Sequence, residues 1–237
     1  MFSSVNYYID KLEGRILYRV MWYDQCLFDT IEIYHKVQES DFNYRHKIAS
    51  IVAYGLLKLA KHEFYLPNFS IRSVELDQYK YPRIRVDQTF VQGEARLNEH
   101  LRRYERDVPE FRSRRGPPYD VPAERIMAWQ FGKFYLILMS GFSFYDFYVD
   151  LDEHEFNVLV PPNIDWKHLS KERGDLITKI LRHTLHRYPF KRMTLAELFK
   201  EGSLSVDSDD LATATGIGRL LKGCSRSYWW RLNFKEL

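Results

Sequence analysis

The sequence predicts an α+β protein: a mixed or antiparallel sheet domain with two helices over residues 1–163, then a small domain over 164–237 built from three helical segments and a strand. Three observations carry this expectation. Segments of period-two alternation recur through the first two thirds of the chain, the mark of half-buried strands. Two stretches, 43–64 and 92–106, carry the helical period instead. Charge divides between the two parts: from Asp165 onward 14 Lys and Arg stand against 9 Asp and Glu, a formal +5 within a total of +3, which leaves the remainder at −2.

In the first domain, residues 15–23 and 27–37 are rich in β-branched and aromatic residues and predict a hairpin turning near Asp24 and Gln25. From Asn43 to Phe64 the residues Ile48, Ile51, Val52, Leu56, Leu59 and Ala60 share a wide face. This predicts a central helix lying against the sheet and ended by Pro67. Ile71 to Val86 reads as extended, with Pro82 between two alternating runs. Gln92 to Arg106 predicts a charged helix with a narrow stripe of Leu97, Leu101 and Tyr104, and a Glu99–Arg103 pair one turn apart. Residues 125–131, 133–140, 142–151 and 155–160 are predicted as strands, with Gly132 and Gly141 at turns.

In the second domain, Leu176, Ile177, Ile180, Leu181, Leu185 and Tyr188 make one face of a helix over 170–188, stopped by Pro189. Lys179, Arg182, His183, His186 and Arg187 fall on its remaining surface. Thr194 and Glu197 have capping-box spacing at the start of a second helix, and Gly202 suits its end. A third segment, Asp209 to Gly223, opens on two acids and contains Leu211-Ala212-Thr213-Ala214-Thr215-Gly216-Ile217. Then Tyr228 to Phe234 alternates as a strand. Three helices and a strand in this order, with that Leu-Ala-x-x-Thr-Gly-Ile run, resemble the winged helix-turn-helix superfamily over the C-terminal region. The resemblance implies a small winged helix-turn-helix domain in which Arg219, Lys222, Arg226 and Arg231 meet phosphate or base edges, with Lys179 and Arg182 nearby.

Other stretches add candidates. Arg112, Arg114 and Arg115 run into Gly116-Pro117-Pro118, a basic loop that suits a second grip on phosphate. Ser140 to Phe147 resembles the RNP1 strand of RNA-recognition domains, with Phe142 and Phe144 on one face, although Ser140 stands where a basic residue is expected. Asp150 and Asp152 share a strand face, as metal-binding carboxylates of nucleases and nucleotidyltransferases do. His183 and His186 lie one turn apart with no third ligand evident.

Composition sets the outer limits. A chain of 237 residues with 45% hydrophobic residues can bury a true core. Two cysteines, Cys26 and Cys224, give no disulfide framework and suit a reducing compartment. Asp10, Lys11, Glu13 and Arg15 interrupt any signal-like apolar run, and the stretch Phe134 to Met139 is too short to span a bilayer. The expectation is a cytoplasmic, nucleic-acid-binding protein without a membrane partner, favouring DNA over RNA, and working as a subunit or regulator of a larger nucleoprotein machine with protein partners. No catalytic, cofactor or metal site is assigned. The alternatives are a metal-dependent enzyme using Asp150 and Asp152, and a non-catalytic assembly subunit.

Overall fold

The computed structural model describes residues 2–10, 15–23, 25–26, 42–76, 82–84, 91–104, 108–111, 119–140 and 169–207. Within these the protein is mostly helical with small antiparallel sheets, an α+β arrangement. Strand β1 (Phe2–Asp10) pairs antiparallel with β2 (Arg15–Tyr23), from Phe2 opposite Tyr23 to Asp10 opposite Arg15. The predicted strand over 15–23 is therefore present and pairs with β1; the 27–37 segment expected to pair with it lies outside the described residues. The two Ser and one Asn in Phe2-Ser3-Ser4-Val5-Asn6 hide the strand signal of β1.

A short strand β3 (Gln25–Cys26) leads toward helix α1 (Phe42–Lys61). The apolar face expected of α1 is buried through Ile48, Ile51, Val52 and Leu56. The helix stops before Pro67: Glu63 takes a left-handed φ of 59°, and its carbonyl accepts from Gly93 N–H at 2.8 Å. Strand β4 (Phe64–Tyr65) follows. The stretch read as extended begins with a 3₁₀ turn, Ile71–Ser73, and continues as β5 (Val74–Leu76) and β6 (Pro82–Ile84). Among the described residues the sheet order is β3-β5-β6, which puts Pro82 on an end strand, the position in a sheet that tolerates proline. Strand β7 (Val91–Gln92) pairs with β4 and runs into helix α2 (Glu94–Tyr104). Leu97 and Leu101 of the predicted stripe are buried, and Glu99 pairs with Arg103 at 2.5 Å. Tyr104 is exposed, a correction to the stripe: it is the last residue of α2.

The largest correction concerns residues 125–131 and 133–140. They are not two strands but one helix, α3 (Ala123–Ser140). Trp129, Phe131, Phe134, Tyr135 and Leu136 are all fully buried, so α3 is apolar on nearly every side and shows no single stripe. Gly132 marks no turn. It lies where α3 crosses the end of helix α4 (Lys171–Thr184): a Cβ there would stand 2.5 Å from Thr184 Oγ1 and 2.8 Å from Leu185 Cδ2. Ser140, the first residue of the RNP1-like octamer, ends α3, and its hydroxyl donates to the Leu136 carbonyl at 2.7 Å. The rest of that octamer and the predicted strands over 142–151 and 155–160 lie outside the described residues.

Helix α4 buries Ile177, Ile180, Leu181 and Thr184 as the periodicity predicts. It ends at Thr184, four residues short of Tyr188, and Tyr188 is exposed. Helix α5 (Leu195–Lys200) carries the predicted capping box in full: Glu197 N–H donates to Thr194 Oγ1 at 3.1 Å, and Thr194 N–H donates to Glu197 Oε2 at 2.6 Å. Gly202, at φ +77°, closes it with the paired bonds of a Schellman end, Ser203 N–H to Leu198 O and Gly202 N–H to Phe199 O. The expected boundary at 163/164 falls outside the described residues. On either side of it, α1 and α3 share one core cluster with α4 and α5. Among the described residues no helix is long and apolar enough to cross a membrane.

Candidate nucleic-acid interface

Of the residues singled out for nucleic-acid contact, Lys179 and Arg182 are described. Both lie on the exposed side of α4. Lys179 Nζ pairs with Glu201 Oε2 at 3.2 Å, which ties α4 to the end of α5 and offsets its charge. Arg182 is exposed. Arg219, Lys222, Arg226 and Arg231, the basic run Arg112, Arg114 and Arg115, and the carboxylates Asp150 and Asp152 all lie outside the described residues. Among those described, no three His, Cys, Asp or Glu side chains gather to hold a metal ion.

The turn between α4 and α5 has more structure than its sequence suggests. It carries a 3₁₀ turn, Pro189–Lys191, with Pro189 buried and Tyr188, Phe190 and Lys191 outward. Arg192 points inward, and its side chain is 0% exposed. The guanidinium meets Glu110, itself 5% exposed, through two parallel bonds of 2.7 Å each. Nε donates to the His186 carbonyl at 2.6 Å. Nη1 donates also to the Arg125 carbonyl at 3.2 Å, and Nη2 to the Arg187 carbonyl at 3.0 Å. All five N–H donors of Arg192 are thus used, and the group lies 4.8 Å from the Trp129 ring centroid. The carbonyls of His186 and Arg187 bond to Arg192, and Met193 N–H closes back on the His183 carbonyl at 2.9 Å. This accounts for the early end of α4.

Above this buried hub the surface is aromatic and basic. Phe190 is 63% exposed, Tyr188 50% and Tyr119 46%. The Tyr119 and Phe190 rings stand 5.8 Å apart, tilted by 40°. Lys191 Nζ lies 5.5 Å from the Tyr188 ring centroid, and the His186 ring lies 5.9 Å from it. Burial, then the charges of Lys191 and Arg192, hold His186 below the ordinary histidine pKa. Tyr119 is anchored from α2: Arg102 Nη2 donates to its carbonyl at 3.1 Å and to Asp120 at 2.8 Å. The fully buried Asn98 amide exchanges two bonds of 2.9 Å with the Val121 backbone. From Leu176 to Ala196 the chain has no Asp or Glu and five Lys or Arg, namely Lys179, Arg182, Arg187, Lys191 and Arg192. Only Arg192 of these has its charge buried against an acid.

A second polar group lies inside the core. Arg45 is buried, and its Nη1 donates to the Met139 carbonyl at 2.9 Å, near the end of α3 where a cation is favoured. His46 Nδ1 and the buried Tyr135 hydroxyl lie 3.1 Å apart. Burial pushes the Tyr135 phenol well above its ordinary range and His46 below its own. These groups join α1 to α3 and are structural in the arrangement described.

Sequence reading missed Glu110, Arg192 and the exposed rings. Arg192 differs in no local feature from its exposed neighbours Arg187 and Lys191. Tyr119 and Phe190 are 71 positions apart and meet only in the fold. Compared with known proteins, the sequence matches no family model and no curated relative.

Proposed function

We infer that this protein binds nucleic acid through the basic surface of its C-terminal part, as a subunit or regulator of a nucleoprotein assembly, with DNA preferred over RNA. The observation that supports this best is the acid-free run from Leu176 to Ala196, whose Arg182, Arg187 and Lys191 are exposed on one helix and the turn that follows it. Such a run offers phosphate a surface without a competing carboxylate from its own segment. In this proposal residues 209–234 complete a winged helix-turn-helix, with Arg219, Lys222, Arg226 and Arg231 added to the contact. Arg112, Arg114 and Arg115, between Phe111 and Tyr119 in the chain, supply a second grip.

A titration by fluorescence anisotropy with duplex DNA, single-stranded DNA and RNA, at low and physiological salt, tests the proposal. The expected result is binding that weakens steeply with salt and is reduced by Arg219→Glu with Lys222→Glu, and by Arg182→Glu with Arg187→Glu. Binding indifferent to salt, or unaffected by both pairs, would remove the reading. The exposed rings also favour a second reading, an assembly subunit that docks a protein, because aromatic residues are enriched at such interfaces.

A further inference from the structure

We propose that Tyr119, Phe190 and Tyr188 form a stacking surface for unpaired bases, so that the protein grips single-stranded DNA or RNA, or the unpaired end of a duplex, at this place. The proposal rests on the nucleic-acid reading above and adds the class of ligand this surface takes.

Four large apolar side chains are exposed among the described residues: Tyr119 and Phe190 meet here, Tyr188 stands two residues from Phe190 in the same turn, and Tyr104 ends α2. A single exposed ring needs no explanation, whereas a gathered set marks a surface that is covered in use. The rings are presented rather than packed away. Tyr119 and Phe190 touch at a tilt, and Phe190 keeps most of its surface open to solvent. Every base has a flat face, so tilted open rings accept successive bases without reading their sequence.

Charge decides the kind of partner. Lys191 lies against Tyr188, and Arg187 is exposed immediately before it in the chain. Lysine is depleted at the centres of protein interfaces, while rings interleaved with cations are what a stacked strand with a phosphate backbone requires. The nearby acid Asp120 is engaged by Arg102 at 2.8 Å.

The display is also rigid. Tyr119 hangs from a segment pinned by Arg102 and Asn98. Tyr188 and Phe190 flank the buried Pro189 in a turn whose carbonyls at His186 and Arg187 are held by Arg192. Little backbone ordering is then left to oppose binding.

The test compares a short labelled single strand, the same strand with abasic sites in place of its bases, and a blunt duplex. Each is titrated with wild type, with Tyr119→Ala/Phe190→Ala, with Phe190→Trp, and with Arg182→Glu/Arg187→Glu. Wild type is expected to bind the strand with bases about tenfold or more tighter than the abasic strand. The double alanine variant is expected to lose that margin while its affinity for the abasic strand and its salt dependence stay unchanged. Phe190→Trp keeps a ring and is expected to keep the margin, which guards against a variant that merely folds poorly. The charge variant is expected to weaken all three ligands alike. If wild type binds both strands equally, or the alanine variant keeps the margin, the stacking surface is overturned and the wider nucleic-acid reading survives. If wild type shows no salt-sensitive binding to any ligand, both are overturned, and a protein becomes the partner to seek.

Discussion

Replacing Arg192 by alanine tests the buried hub most directly. The change strands the Glu110 carboxylate, 5% exposed, in a site that has lost both of its 2.7 Å partners. It also takes a donor from the carbonyls of His186, Arg187 and Arg125, and removes the cation from the face of Trp129. Removing one partner of a buried ion pair costs about 3–5 kcal/mol. The three carbonyls and the ring contact place this site toward the upper end of that range. For a chain of this size each kcal/mol lowers Tm by about 2–4 °C, so a fall on the order of 10–15 °C is expected. Arg192→Lys keeps a charge but presents a point where a planar fork is needed, and is expected to fall between wild type and alanine. Arg192→Met with Glu110→Leu removes the stranded charge and is expected to recover part of the loss, since the three carbonyls still lack their donor. Urea unfolding followed by circular dichroism, with thermal melts of all four proteins, measures each difference. A cost under about 1 kcal/mol for Arg192→Ala would refute the reasoning, because it would mean that Glu110 reaches water without its partner.

Three further outcomes are expected. Gly132→Ala sets a Cβ 2.5 Å from Thr184 Oγ1 and under 3 Å from Leu185, so α3 and α4 must separate; a loss of about 1–3 kcal/mol is expected in urea, although alanine is the better helix former. Glu197 is held below the ordinary glutamate pKa first by the Thr194 N–H, with burial opposing and Arg125 adding to the effect. Its folded pKa is therefore depressed, so its contribution is present above the ordinary value of 4.5 and is lost as pH falls through the folded value; the urea midpoints of wild type and Glu197→Gln are expected to differ at pH 7 and converge in acid, while Thr194→Ala costs about 1 kcal/mol at neutral pH. His46 is held below 6.5 by burial, with a hydrogen bond from its ring to the Ser203 backbone carbonyl opposing. Between the folded and ordinary values the unfolded chain binds the extra proton, so wild type is expected to lose stability as pH drops below about 6.5 and His46→Gln to lose less, by urea midpoints across that window.

What was legible follows from how each residue earns its place. Helix α1 was readable because its large apolar residues, Ile48, Ile51, Val52 and Leu56, recur at helical spacing, although the small Ala49, Ser50 and Ala53 between them are buried as well. The capping box of α5 was readable because its two bonds join residues three apart. Helix α3 was not, because Trp129, Phe131, Phe134 and Tyr135 are buried on several sides and leave no polar stripe to set the period. Its 18 residues exceed a typical strand, and length was the signal available. The mistaken turn at Gly132 has the same source, since a glycine that admits a neighbouring helix looks in sequence like one that bends the chain. Tyr104 and Tyr188 fit their stripes by spacing but stand at or beyond a helix end, where the face they belong to has run out. The candidate surface was half legible: Lys179 and Arg182 follow from helix geometry, whereas Arg187 stands in the turn beyond the helix end, and the meeting of Tyr119 with Phe190 depends on the segment before α3 lying beside that turn.

Arg192 links these two halves. Burying a guanidinium is costly, and an arginine spent only on stability could have been replaced by a well-packed apolar residue at little loss. What an apolar residue could not do is hold five acceptors from four places along the chain at fixed angles. By gripping Glu110, the Arg125 carbonyl and the carbonyls of His186 and Arg187, Arg192 ends α4, sets the turn and fixes where Tyr188 and Phe190 emerge. Glu110 precedes by nine positions Tyr119, the third ring of that surface. Arg192→Ala is therefore expected to cost more than stability: in protein that remains folded at low temperature, the margin between base-bearing and abasic strands should narrow as well, because the turn that carries two of the three rings has lost its anchor.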